Sequence, residues 1–297
     1  MTHPTTEPAL GAPAAGSRPA PGPEWLRVGG VALAVRDLGR VEAFYREVLG
    51  LGVVERTAGA VRLGAGGVGF LDLLHRPTAL PDDPATAGLF HTAFLLPSRA
   101  ELGRWLAHAH RLRQALDGAA DHLVSEALYL SDPEGNGVEV YADRPRARWR
   151  WRDGPDGRRV EMATRPLDTE GLLAEADAAW AGAPAGTRIG HVHLRVGDVA
   201  EAVRFYGGRL GMEVTATLPG AAFLSTGGYH HHVAVNAWRS AGAGRRDEAR
   251  AGLAWVALEA ADARGLAGVA LGTGTAGAAE GGLRDPWGTE LRLRPVQ

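Results

Sequence analysis

The sequence predicts an α+β protein assembled from four βαβββ modules, and three observations carry that expectation. The segment VRDLGRVEAFYREVLGL at 35–51 returns as VGDVAEAVRFYGGRLGM at 196–212, with Asp37, Phe44-Tyr45 and Leu49-Gly50 matched by Asp198, Phe205-Tyr206 and Leu210-Gly211. Short Gly-punctuated apolar runs follow each copy. A second kind of unit then closes each half with an Asp-Pro turn and a strand, SDPEGNGVEVYADRP at 131–145 and RDPWGTELRLRP at 284–295. Self-similarity over so long a period is the mark of a repeated supersecondary unit.

Each element has its own local reason. Alternation over 31–35 and 192–196 predicts a strand. Asp37 and Asp198 stand where a helix N-cap is needed. Leu38, Val41, Phe44, Tyr45 and Val48 follow at helical spacing, and a Gly closes the helix. Strands are then expected near 51–56, 60–64 and 67–74, and near 212–217, 221–226 and 230–237. The second units open with Gly88-Leu89-Phe90-His91 and Gly252-Leu253-Ala254-Trp255, followed by helical stretches at 99–117 and about 261–268. The modules span about 26–76, 88–143, 188–239 and 251–297, so that 25–143 holds the first pair along the chain and 188–297 the second. In the connector 144–187, Trp149, Trp151 and LLAEADAAW predict packing on the surface. Residues 1–24, rich in Pro, Ala and Gly without an apolar period, read as a flexible tail.

Composition excludes several classes. In 297 residues, 45% hydrophobic and 22% charged, there is ample material for a core. With 32 Arg, no Lys and 34 acidic residues the net charge is -2, so no basic stripe awaits nucleic acid. No run approaches the roughly 18–20 apolar residues of a membrane helix, and no secretory signal is read at the start, so a cytoplasmic location is expected. The absence of Cys removes disulfides, thiolate zinc sites and cysteine nucleophiles.

Four such modules carrying the phrase D-x(6)-F-Y-x(3)-L-G resemble the vicinal oxygen chelate superfamily, over nearly everything from 26 to 297. The resemblance implies module pairs curled into two open mixed-sheet barrels, with a metal held by the first and last strands of a module on the face lining the hollow. Tested strand by strand, His191, His193 and Arg195 share one face, and Val192, Leu194 and Val196 the other. His91 opens the corresponding strand of module two, and Glu139 lies opposite Val138 and Val140 on its last strand. Two imidazoles and one carboxylate make a set that suits non-heme Fe(II), with Mn(II) as a substitute. A lone strand His is usually a core or surface residue, and a lone Glu after a Gly-rich turn is usually solvated. Three at matching places are a stronger signal, because modules one and four have Gly30, Trp255 and Arg292 there (Glu290 lies two residues earlier on the same face). One intact site and one silent site follow if module two pairs with three and module one with four.

Residues 122–139, HLVSEALYLSDPEGNGVE, resemble the signature of extradiol ring-cleavage dioxygenases at His122, Leu128, Tyr129, Asp132, Pro133, Gly135 and Glu139; Ala120 departs from it. A β-turn alone explains Pro133 and the glycines but neither His122 nor Tyr129. The resemblance implies that Tyr129 holds a catecholate oxygen, that His122 assists or steers the ring, and that a further His serves as acid-base. In GGYHHHVAVN at 227–236, alternation puts His230 and His232 on the face of Ala234 and Asn236; a slip of one residue brings His231 there instead. The expected function is that of the four-module catechol 2,3-dioxygenase branch, an enzyme of aromatic catabolism. It would be an Fe(II)-dependent extradiol dioxygenase taking a catecholic small molecule and O2, and inserting both oxygen atoms beside the diol. Two rivals share the fold: a glyoxalase-type isomerase or lyase, which wants two carboxylates at its metal, and a metal-free protein sequestering an aromatic drug, which needs none of the three ligands. Exposed strand edges leave a homo-oligomer open, with its number unspecified.

Overall fold

Capping and glycine placement set the elements. In the computed structural model, which describes residues 24–154, 157–261 and 281–296, module one comprises β1 (Leu26–Val35), α1 (Leu38–Glu47), β2 (Gly52–Arg56), β3 (Ala60–Ala65) and β4 (Val68–His75). Module two comprises β5 (Gly88–Leu95), α2 (Arg99–Arg111), β6 (Gly118–Asp121), β7 (Ser125–Ser131) and β8 (Gly137–Asp143). The connector carries β9 (Trp151–Gly154), β10 (Gly157–Val160) and α3 (Thr169–Ala174). Module three comprises β11 (Arg188–Arg195), α4 (Val199–Leu210), β12 (Glu213–Leu218), β13 (Ala221–Ser225) and β14 (Val233–Asn236). Module four, among the described residues, has β15 (Gly252–Ala260), β16 (Gly281–Arg284) and β17 (Glu290–Pro295). Asp37 and Asp198 cap their helices, accepting from the Arg40 and Glu201 amides at 3.0 and 2.7 Å.

Some expectations change. The tail over 1–23 and nearly all of the helix at about 261–268 lie outside the described residues, whereas Glu24 is docked, bonding Arg146 at 3.4 Å. Helix α2 stops at Arg111, short of residue 117, because Arg113 takes a left-handed φ of 55°. Strand β14 begins at Val233 rather than 230: Gly227 and Gly228, at φ 61° and 66°, turn the chain, and Tyr229–His232 lie outside the strand. Among the described residues, no helix is long and apolar enough to cross a membrane.

Two curled sheets result, ordered β16-β17-β15-β1-β4-β3-β2 and β12-β13-β14-β11-β5-β8-β7-β6. Modules one and four therefore share one sheet, and modules two and three the other. The first strands pair antiparallel in both, with the same defects: the register shifts between Val28 and Gly30 and between Ile189 and His191. Glycine is required at 190, since a Cβ there would stand 1.8 Å from the buried Tyr141 hydroxyl; one on Gly29, 2.4 Å from the Glu259 carboxylate, would force that side chain to shift. The valine and leucine faces of both sheets merge in one hydrophobic cluster that includes Val31, Leu33, Val192, Leu194 and Leu258.

The repeated Phe-Tyr phrase joins the two sheets. Tyr45 on α1 donates to Asp132 of module two at 3.4 Å, and Tyr206 on α4 donates to Asp285 of module four at 3.1 Å. Each aspartate also locks its own Asp-Pro turn: Asp132 accepts from the Glu134 and Asn136 amides, and Asp285 from those of Trp287 and Thr289. Asp132, a member of the sequence signature, thus holds a turn. Removing one donor to a buried carboxylate costs about 1–3 kcal/mol. Tyr206→Phe should lower unfolding free energy in urea by that order, and Tyr45→Phe, with its longer bond, by less. Equal stability of Tyr206→Phe and the parent would show that the latch contributes nothing.

Candidate metal centre

The site is built on one row of the second sheet. Antiparallel β11 and β5 set His191 opposite Ala93, and parallel β5 and β8 set Ala93 beside Glu139. The next strand continues the row, with Tyr129 of β7 opposite Glu139. Two residues along, His91 stands opposite His193. Side chains on one row share a face, so His191 and Glu139 meet over the small Ala93, and His91 reaches in from the next row. Each of the three offers one ligand atom, all within 4.8 Å of one another.

The geometry suits a divalent ion. Nε2 of His91 and Nε2 of His191 stand 2.9 and 3.1 Å from the same Glu139 oxygen. An octahedral ion with bonds of about 2.1 Å has neighbouring ligands about 3 Å apart. His91 Nε2 is buried and has no hydrogen-bond partner despite that approach, so it is not aimed along a bond to the carboxylate. An orphaned buried nitrogen beside a buried carboxylate is what a bound cation would satisfy. Electrostatics agree. Burial pushes the Glu139 carboxyl up, but His191 and His91 outweigh it and hold the group well below the usual carboxylate range. Burial pushes the His191 imidazole down to about 4 against the pull of Glu139, leaving it neutral and ready to ligate at pH 7.

These residues line a cavity of about 680 Å³. His122 and Tyr129 stand on its wall. His122 Nδ1 donates to the Ala163 carbonyl at 2.8 Å, so its Nε2 accepts from the Tyr129 hydroxyl at 2.7 Å. Burial, then the charge of Glu139, raises the Tyr129 phenol well above its ordinary range, which keeps it protonated. The connector closes this side with Met162, Ala163 and Thr164, a role that no sequence pattern announced.

Of the histidines at 230–232, the cavity receives His231; His230 and His232, expected there from alternation, face away from it. The reason is the glycine turn: side chains before Val233 do not follow the alternation of β14. His231 packs on His191 with ring centroids 3.9 Å apart. His230 stands behind it, its Nδ1 2.7 Å from His231 Nδ1 and its Nε2 2.8 Å from Asp143. His232 stacks on Tyr229, with Nε2 3.6 Å from Glu24. Sequence reasoning missed Asp143; its only signal was a position at the end of the strand that carries Glu139.

The other sheet repeats the row without the chemistry. Gly30 stands opposite Ala257 and Ala257 beside Arg292, which matches His191, Ala93 and Glu139; Trp255, opposite Ala32, matches His91. The Arg292 guanidinium lies 4.4 Å over the Trp255 ring.

Burial also pushes His193 and His231 well below the ordinary histidine range. The unfolded chain binds these protons near pH 6.5, whereas folded His191 resists until about 4. Stability of the metal-free protein should therefore be complete above about pH 6.5 and fall toward pH 4, by up to ~1.4 kcal/mol per pH unit for each such imidazole. Thermal melts between these limits check this; a flat profile would contradict neutral burial.

Residues 27–140 and 188–293 match the family described as Glyoxalase/Bleomycin resistance protein/Dioxygenase superfamily. The Catechol-2,3-dioxygenase of Bacillus subtilis (strain 168) is 45% identical over 222 residues, spanning 72% of this chain and 76% of that protein. Solved structures share the fold at low identity. Glyoxalase I from Zea mays superposes with a TM-score of 0.53 at 16% identity, over 91% of this chain and 92% of that one. A putative dioxygenase from Bacillus subtilis subsp. subtilis str. 168 reaches 0.58 at 13% identity, over 92% and 86%. By the reach of the family match and the identity to this relative, the chain belongs to the glyoxalase/bleomycin resistance protein/dioxygenase superfamily.

Proposed function

We propose that the protein is a non-heme Fe(II)-dependent extradiol ring-cleavage dioxygenase, acting on catechol or a substituted catechol and inserting both atoms of O2 beside the diol. The observation that carries this reading is the meeting of His91, Glu139 and His191 with the Tyr129 phenol and the His231 imidazole in one cavity. Similarity to a relative named Catechol-2,3-dioxygenase supports it. Two imidazoles and one carboxylate suit Fe(II), admit Mn(II), and leave positions open. A bound iron supplies a Lewis acid for the diol oxygens and a redox partner for dioxygen.

The chain's own residues supply proton handling. With its hydrogen given to His122, the Tyr129 oxygen keeps lone pairs for a diol hydroxyl. Asp143 accepts from His230 Nε2, and with its proton on that nitrogen His230 accepts at Nδ1 from His231 Nδ1. That leaves His231 Nε2 free to take a diol proton and return it later in the reaction. Asp143 and His230 are positioning residues. The apolar ring of Phe223, 5.0 Å from His231, helps to exclude water. The group holds a single carboxylate, which favours ring cleavage over the isomerase chemistry that wants two.

Loading with Fe(II) under argon, then adding catechol and air, should give the yellow ring-opened product with uptake of O2. His91→Ala, His191→Ala and Glu139→Ala should lose the metal, read by metal analysis. Tyr129→Phe and His231→Ala should keep it and turn over ~100-fold or more slowly. Asp143→Asn should keep metal and KM while kcat falls roughly tenfold, the mark of a mis-set ring rather than lost substrate binding. Iron at full occupancy without oxygen uptake on any catechol would favour the isomerase. Failure to bind metal would leave the binding protein.

A further inference from the structure

The proposed chemistry uses only the floor of the cavity. A one-ring diol needs a small part of about 680 Å³, a volume within the range of about 300–1,000 Å³ typical of sites for drug-sized ligands. The unused part is walled by Phe90, Leu218, Phe223 and Trp238. Three of these are among the nine large hydrophobic residues left exposed among the described residues: Phe90 at 37%, Leu218 at 40% and Trp238 at 49%. Apolar surface gathered at a cavity mouth, unlike single exposed side chains, marks a binding surface.

This wall is held in place. The Trp238 indole N–H donates to the Pro219 carbonyl at 2.9 Å. Its ring lies over Gly220, where an added Cβ would come within 3.0 Å of it. Phe90 meets Trp238 edge-on with centroids 5.4 Å apart and meets His193 at 4.8 Å. Rings already fixed lose little freedom when an apolar group packs on them. The nearby cation is closed: Arg195 donates to Asp82 at 2.6 Å and to the Thr86 carbonyl at 3.0 Å. Arg239 is exposed at the rim, where water screens it.

We propose that the substrate class is a catechol carrying an uncharged aryl substituent, whose arm packs on Phe90, Leu218 and Trp238. This deepens the dioxygenase reading and rests on it. The wall places the arm beyond His193, on the module-three side of the metal ligands, away from Tyr129 and His122.

The test compares kcat/KM for 3- and 4-phenylcatechol with that for catechol in the iron-loaded enzyme. At least one phenyl isomer should be preferred tenfold or more, chiefly through KM, and Trp238→Ala should reduce that ratio about tenfold. A second measurement needs no turnover. Under argon, phenylcatechol should quench tryptophan fluorescence of the metal-free protein at lower concentration than catechol, and Trp238→Phe should lose that difference. Equal kcat/KM for catechol and both phenyl isomers would overturn the proposal. So would preference for 3,4-dihydroxyphenylacetate, which would give the rim to Arg239 and an anionic arm. If no catechol is opened while quenching still distinguishes the ligands, the dioxygenase reading fails and the aryl subsite stands.

Discussion

The candidate site depends on one pairing, the antiparallel register of β5 with β11. It sets His191 opposite Ala93 and His193 opposite His91, so residues far apart in the chain come to adjacent rows of one face. A shift of one residue would turn His191 and His193 into the valine core and bring Val192 and Leu194 to the hollow. The bulge at Gly190 holds this register: the strand gains a residue where the Tyr141 hydroxyl leaves no room for a side chain. Ala93, fully buried between His191 and Glu139, matters by its smallness, because both longer side chains reach over it.

The second sheet serves as an internal control on this reasoning. It has the same strand roles, the same bulge after Val28 and the same register from Gly30 to Ala257 to Arg292. What it lacks, at the three matching positions, is metal-ligating atoms, since Gly30, Trp255 and Arg292 stand there. There the Arg292 guanidinium stacks on Trp255, and the buried Glu259 is taken by Arg27 and Arg294 at 3.0 Å each. The scaffold therefore tolerates either a polar cluster or a stacked Arg–Trp pair at the same positions. Chemistry belongs to the side chains and not to the fold.

Much of this was legible in the sequence because it lay in repeats. Comparing module with module identified His191 against Gly30 and Glu139 against Arg292, and the emptiness of two modules argued for the crossed pairing that the sheets display. Legibility ended where local rules did. Alternation holds from Val233 onward but not back through His230, because Gly227 and Gly228 turn the chain before the strand begins; the cavity accordingly receives His231. Asp143 and the connector's Ala163 act through hydrogen bonds to residues distant in sequence, which no periodicity encodes. Asp132 was read within a catalytic signature, yet its oxygens are spent on a turn and on Tyr45.

Crossed topology would also give a metal bound at the candidate centre a structural role. The candidate ligands come from modules two and three, on either side of the long connector, so an ion bound there would tie together the β5–β11 pairing. Glu139, only 2% exposed, faces His191, whose imidazole burial keeps neutral at pH 7, and His91. A cation bound there would offset the charge of this buried carboxylate, and its binding free energy would add to the stability of that sheet. The silent sheet needs no such ion, since arginines already neutralise Glu259. Arginine thus neutralises the buried carboxylate of one sheet, whereas a metal held in the other would leave positions open for chemistry.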